Sequence, residues 1–154
     1  TNVQQFWQNL SAGVDSVSEL PESRLDRQLY SPQPEAGKCY CQWGGILEEQ
    51  ASFDPLFFEI SPKEAAEMNP SQRVFMQEAY RALEDAGLVN AGLSQLHCGI
   101  YVGCEPNGYT KQGFTGASEA IVASRISYFL NLQGPALVIN SGCSSSLVAI
   151  HLAC

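Results

Sequence analysis

Residues 134–154 read GPALVINSGCSSSLVAIHLAC, and the order of residue types in this stretch decides the fold class. Residues 136–139 form an apolar run that is too short for a helix and contains adjacent Val and Ile, which favour a buried strand. Residues 140–146 are all small, and an apolar run that predicts a helix follows them. The stretch therefore predicts a strand, a tight turn and a helix, in that order.

Cys143 lies in the tight turn and is the group that this turn would present. A sharp strand-to-helix turn can hold a nucleophile in an exposed position, and Gly142 removes a side chain that would crowd it. A cysteine attacks as the thiolate, which the N–H groups and positive dipole end of the following helix stabilise. The alternative is that Cys143 is a small buried hydrophobic residue. Three serines beside a glycine at a helix start favour the catalytic interpretation.

Several further blocks of the sequence occur in the order typical of one enzyme family. They read FWQNLSAGVD (6–15), FDPLFFEISPKEA (53–65), NPSQR (69–73), ALEDAG (82–87) and SRISYFLNLQGPA (124–136). Together with residues 134–154 they resemble a β-ketoacyl synthase (ketosynthase) domain of the thiolase superfamily, most closely that of a modular type I polyketide synthase. The family usually has Asp-Thr-Ala before the nucleophilic cysteine, and this chain has Asn140-Ser141-Gly142. The nucleophile itself is kept as Cys143.

This resemblance implies an α/β fold and a specific reaction. Residues 1–154 would be the N-terminal half of a thiolase-like ketosynthase domain, truncated at both ends. The implied activity is decarboxylative Claisen condensation of an acyl group on Cys143 with a malonyl-carrier-protein thioester, in polyketide or fatty-acid-like chain extension. The phosphopantetheine arm of an acyl carrier protein would deliver both thioesters. No directly bound cofactor or metal is expected, and the complete domain is expected to form a homodimer.

The resemblance also places two histidines, used for decarboxylation, well after the nucleophile. Residues 1–154 alone are therefore expected to be inactive. His151 lies only eight residues beyond Cys143, which is more than two helical turns and too far for direct contact. It is expected to be a hydrogen-bonded core residue, and His97 is not assigned a catalytic role either.

Two alternatives to the condensing enzyme remain open. The first is a non-condensing ketosynthase-like module that is retained for structure or for binding a carrier protein or other partner. The second is a redox protein based on Cys143, which the lack of a second cysteine at close spacing opposes. The two downstream histidines would distinguish the first alternative from the enzyme.

Composition excludes several other classes of protein. The chain has 154 residues, sixteen acidic and eight basic, and a net charge of −8, which argues against a nucleic-acid partner. It contains no apolar run long enough to cross a membrane. The N-terminal sequence has no signal-peptide pattern, and none of the six cysteines forms a C-x-x-C pair. Reduced thiols in the cytoplasm are therefore expected.

Hydrophobic periodicity and capping signals predict the remaining elements. Helices are expected over residues 2–10, 19–29, 70–86 and 117–132, with a further helical turn that starts at Ser61 and is closed by a capping box to Glu64. A strand is expected within residues 97–103. Arg125 is expected to face water or a partner subunit. The helix–strand alternation after residue 70 predicts a parallel or mixed sheet covered by helices.

Overall fold

The computed structural model describes residues 2–47, 52–89, 92, 97–106, 108–109 and 113–154. Internal contacts divide the chain into two units, Thr1–Glu49 and Gln50–Cys154. The second unit contains the predicted strand–turn–helix segment. Within the described residues no helix is both long enough and apolar enough to cross a membrane.

The first unit combines one helix with a small antiparallel sheet. Helix α1 covers Val3–Ser11, and strand β1 (Val17–Glu19) pairs with strand β2 (Trp43–Gly45). The predicted helix over residues 19–29 is wrong, because only a 3-10 turn forms there, at Arg27–Leu29. The N–H of Leu20 instead donates to the carbonyl of Gln42 and extends the strand pairing.

Two consecutive helices begin the second unit, and both start where the capping signals predict. Helix α2 covers Pro62–Glu67, and its N-cap Ser61 accepts a hydrogen bond from the Glu64 N–H at 3.2 Å. Helix α3 covers Pro70–Asp85, which confirms the predicted helix to within one residue. The Glu64 carboxylate does not close the predicted capping box. The Arg125 guanidinium binds it instead, at 2.8 Å.

A parallel strand pair forms the scaffold of the second unit. Strand β3 (Ile100–Gly103) pairs with strand β4 (Ala136–Ile139) in a register that matches the first residues of both strands and the last residues of both. The intervening segment contains helix α4 (Phe114–Ala117), a 3-10 turn (Glu119–Ile121) and helix α5 (Val122–Phe129). The single helix predicted over 117–132 is therefore wrong, since Ser118 has an extended backbone that separates α4 from the later turns. Helix α6 (Ser145–Ala153) follows β4.

The core joins α3 to α5 through apolar contacts and one buried polar group. Met68, Met76 and Ile126 are completely or almost completely buried in the main apolar cluster. Gln72 is 1% exposed, and its Nε2 donates to backbone carbonyls of α4, at Thr115 and Gly116, and of the following Ser118 at 3.0–3.3 Å. Such bonds are required because an unsatisfied amide in a core is costly.

Arg125 completes this polar network. Its Nε donates to Gln72 Oε1 at 2.8 Å, and its Nη2 contacts Glu64 Oε1 at the same distance. The Arg125 side chain is only 10% exposed. Of the two surroundings expected for Arg125, water or a partner subunit, water is wrong, because two polar partners on α2 and α3 compensate the desolvation of its charge. The network fixes α5, and with it the segment that leads to β4.

Candidate active site

The strand, turn and helix predicted from residues 134–154 all form. Strand β4 ends at Ile139, and α6 begins at Ser145. Between them Gly142 has φ +65°, a left-handed conformation that favours glycine. The next residue, Cys143, is exposed. The turn therefore presents the thiol beside the N-terminal end of a helix, as the sequence predicts.

Serine side chains hold this turn together. Ser145 is 5% exposed; its Oγ donates to the Gly142 carbonyl at 2.6 Å and accepts from the Ser141 N–H at 2.9 Å. Ser144 Oγ donates to the Ser141 carbonyl at 2.9 Å. These bonds connect both ends of the turn across Cys143, so two of the three serines have a structural role.

The bonds of Ser144 also determine whether its side chain caps the first N–H groups of α6. Ser144 is the N-cap residue, yet it makes no side-chain capping bond, because its hydroxyl points back to the turn. Its side chain therefore does not compete for the first-turn N–H groups of α6. Those groups and the helix dipole carry partial positive charge on the side of the helix where Cys143 lies.

Strand β3 supports the turn by an unusually close approach to α6. A Cβ added to Gly103 would lie 2.6 Å from backbone atoms of Ser145 and Ser146, so only glycine fits. The Cys104 N–H, just after the strand, donates to the Ile139 carbonyl at 3.0 Å and aligns the two strand ends. Sequence analysis missed Gly103; its position at the end of an apolar strand was the available signal.

Two groups near the turn also escaped the sequence analysis. The carboxylate oxygen Oε1 of Glu105 lies 3.7 Å from the position that a Cβ would occupy on Gly142. The pKa of the Cys104 thiol is raised, first by burial and then by the negative charges of Glu119 and Glu105. Because the spacing between residues 105 and 142 is so long, no local pattern could have predicted this approach.

The histidines lie outside this constellation. His151 is in the last turn of α6 and is exposed, so the expectation of a core histidine is wrong. The buried residues of α6 are Ser145 and Ala149, which share one face at a spacing of four. His151 is two residues past Ala149, which is about 200° around the helix. His97 is also exposed.

The second unit is an α/β structure, with two parallel strands and an intervening helix. It presents an exposed cysteine at a strand-to-helix turn. All of residues 1–154 match the family described as "Beta-ketoacyl synthase, N-terminal domain". The chain belongs to the β-ketoacyl synthase family, and the predicted resemblance is confirmed.

Individual relatives agree with this assignment. The chain is 45% identical to polyketide synthase PksL of Bacillus subtilis, over 99% of the chain and 4% of that protein. It is 39% identical to polyketide synthase ThaG of Burkholderia thailandensis, over 97% of the chain and 3% of that protein. The chain thus spans a small part of the curated relatives that it matches.

Solved structures confirm the thiolase-like fold. The oxazolomycin ketosynthase domain OzmH KS7 of Streptomyces albus JA3453 matches with a TM-score of 0.90 and 42% identity, over 99% of this chain and 29% of that one. The ketosynthase from module 6 of the bacillaene synthase of Bacillus subtilis 168 has a TM-score of 0.85 and 44% identity, over 99% and 26%.

Proposed function

We propose that residues 1–154 are the N-terminal part of a polyketide synthase ketosynthase domain and that Cys143 is its acyl-accepting nucleophile. The observation that carries the proposal is the exposed Cys143 thiol in a serine-braced turn at the start of α6. Membership of the β-ketoacyl synthase family supports the same reaction class.

The first chemical step is thioester exchange. The Cys143 thiolate attacks the acyl carbonyl, a carbon–sulfur bond to Cys143 forms, and the bond to the donor's sulfur breaks. The released thiolate then takes up a proton. Because one thioester replaces another, the exchange is nearly balanced, and a thiolate is also a good leaving group for the next step. Backbone N–H groups at the turn, with that of Cys143 as one candidate, would stabilise the oxyanion.

The second step is condensation. A malonyl thioester loses carbon dioxide, and the resulting enolate attacks the acyl carbon on Cys143. A carbon–carbon bond forms, the bond to Cys143 breaks, and the free thiolate returns. The family resemblance assigns enolate stabilisation to histidines beyond residue 154, so residues 1–154 alone should not condense. Leu147 and Ile150 of α6 are 73% and 60% exposed, which supports further packing partners for this helix.

The proposed partners follow from this chemistry. An acyl carrier protein would present acyl and malonyl groups on its phosphopantetheine arm, and the exposed thiol is accessible to such an arm. We place the reaction in the cytoplasm, where thiols stay reduced, and expect the complete domain to be a homodimer.

The test is acyl loading of the full-length protein that contains this chain. Incubation with an acyl-pantetheine thioester should add one acyl mass to the peptide that contains Cys143, and Cys143→Ala should abolish the adduct. Subsequent addition of a malonyl-carrier thioester should release carbon dioxide and yield a β-ketoacyl product. Loading without either product would favour the non-condensing alternative. Absence of loading at Cys143 would overturn the proposal.

A further inference from the structure

We infer that Glu105 is a specificity-determining residue for the loading step, where its carboxylate disfavours anionic acyl groups on Cys143 relative to neutral ones. This inference rests on the proposed function of Cys143. It concerns the choice between a neutral growing chain and a malonyl-type group, which differ in charge at the end remote from the thioester.

The geometry places the Glu105 carboxylate at the elbow itself. Its Oε1 lies 3.7 Å from the point that a Cβ would occupy on Gly142, the residue directly before Cys143. Gly142 has no side chain to keep the carboxylate away. The strand pairing also fixes the approach, since the N–H of Cys104 donates to the Ile139 carbonyl at 3.0 Å. Glu105 is therefore attached to a rigid strand end.

The charge of Glu105 is not compensated by an ion pair with any residue that the structure describes; the three ion pairs found there involve other carboxylates. The same carboxylate contributes to the raised pKa of the Cys104 thiol, after burial and the negative charge of Glu119. An anion brought beside Gly142 would lie near the same negative charge.

Such an anion would arrive with the wrong acyl group. A malonyl group on Cys143 would occupy the thiol without providing a chain to extend, and its free carboxylate would lie close to Glu105. Glu105 is exposed to water, and two well-solvated unit charges separated by several ångströms repel by enough to change a rate ratio about 3- to 10-fold. Neutral acyl groups do not incur this repulsion.

The experiment compares two acyl groups of similar shape and different charge. Succinyl-pantetheine and isocaproyl-pantetheine are offered in competition to the full-length protein, and adducts on the Cys143 peptide are quantified by mass spectrometry. The terminal carboxylate of succinyl and the isopropyl group of isocaproyl are nearly isosteric, and succinyl does not decarboxylate. Glu105→Gln should raise the succinyl-to-isocaproyl loading ratio about 3- to 10-fold. Glu105→Lys should raise it further.

Glu84→Gln is the matched control, because it removes one exposed carboxylate near the end of α3. Its loading ratio should equal that of the wild type. An unchanged ratio in both Glu105 variants, with normal loading of Cys143, overturns the inference and leaves the proposed function intact. A rise in Glu84→Gln equal to that in Glu105→Gln also overturns it, since net charge would then explain the effect. If neither thioester loads the wild type, the proposed function and the inference are overturned together.

Discussion

Cys104 and Cys143 follow the ends of two neighbouring parallel strands, yet their surroundings differ. Cys104 comes directly after β3, keeps a hydrogen bond to the adjacent strand, and is half-buried with a raised pKa. Cys143 comes four residues after β4, at the start of a helix, and is exposed. The difference shows that the turn, rather than the residue type, makes a candidate nucleophile. The residues between β4 and α6 place the Cys143 thiol outside the sheet, where solvent reaches it.

The largest expected effect is the difference in acyl loading between two single substitutions, Cys143→Ala and Cys104→Ala. Cys143→Ala removes the attacking atom, so acyl loading should fall by roughly 10⁴-fold or more, the scale seen when a catalytic nucleophile is deleted. Cys104→Ala should keep the loading rate within about threefold of the wild type. The Cys104 side chain takes no part in the hydrogen bonds of the turn, and its thiol stays protonated. Loading rates of pantetheine thioesters, measured by mass spectrometry, check both.

Thermal unfolding provides the control for this pair. Cys143 is exposed, so Cys143→Ala should unfold within about 0.5 kcal/mol of the wild type. If Cys104→Ala lost loading while Cys143→Ala kept it, the comparison between the two thiols would be reversed.

The second prediction concerns Gly103, the residue that brings β3 against the start of α6. A methyl group there would lie 2.6 Å from helix backbone, so Gly103→Ala must displace α6 or the strand. We expect a loss of about 1–3 kcal/mol in the free energy of unfolding. Loading should fall about 100-fold, because small displacements of a reacting group are costly. Chemical denaturation and loading assays measure the two effects.

Gly45→Ala is the matched control for this substitution. Gly45 also lies in a strand, and nothing is within 4 Å of the Cβ position. Stability and loading should both remain near wild type. Wild-type loading in Gly103→Ala would show that the elbow tolerates movement of α6 and would weaken the assignment of its geometry to function.

How far the sequence predicts this molecule depends on how local each feature is. Strand β4 and the turn are local, since a short apolar run between Gly134-Pro135 and small residues has few alternative structures. The starts of α2 and α3 are also local, because Ser61 and Asn69 supply their caps within three residues. These features were predicted correctly.

Features made by distant residues were not predictable in the same way. The Arg125 network needs Glu64 and Gln72, which lie more than fifty positions earlier. The short strand β1 depends on pairing with residues 43–45, and its last residue, Glu19, is where the wrongly predicted helix over 19–29 would have begun. Glu105 reaches the elbow only because β3 and β4 pair in parallel. In each case tertiary contacts override local propensity.

The third prediction tests the brace under Cys143. Ser145→Ala removes the hydroxyl that accepts from the Ser141 N–H and donates to the Gly142 carbonyl. The Gly142 carbonyl keeps its bond from the Ser145 N–H, but the Ser141 N–H is left without a partner, which should cost about 1–2 kcal/mol of stability. Loading should fall about tenfold as the turn loosens around the thiol. Ser146→Ala is the control one residue further along, where the side chain is exposed. Equal effects of the two variants would remove the special role of Ser145.

The smallest effect is a direct comparison of thiol reactivity. Under brief iodoacetamide exposure near neutral pH, Cys143 should be alkylated severalfold faster than Cys104. Alkylation requires the thiolate. Cys143 has solvent access and a helix N-terminus beside it, whereas Cys104 is half-buried with its pKa raised by burial, Glu119 and Glu105.

The pH dependence of the two rates is the second part of this test. Because a raised pKa delays deprotonation, the difference in alkylation rate should narrow as the pH increases and Cys104 ionises. Peptide mapping of the full-length protein at several pH values measures both rates. Glu105→Gln removes one of the charges that raise the pKa of Cys104, so alkylation of Cys104 itself should accelerate at a lower pH than in the wild type. Faster alkylation of Cys104 across the whole range would mean that burial and nearby carboxylates do not set thiol reactivity at these strand ends.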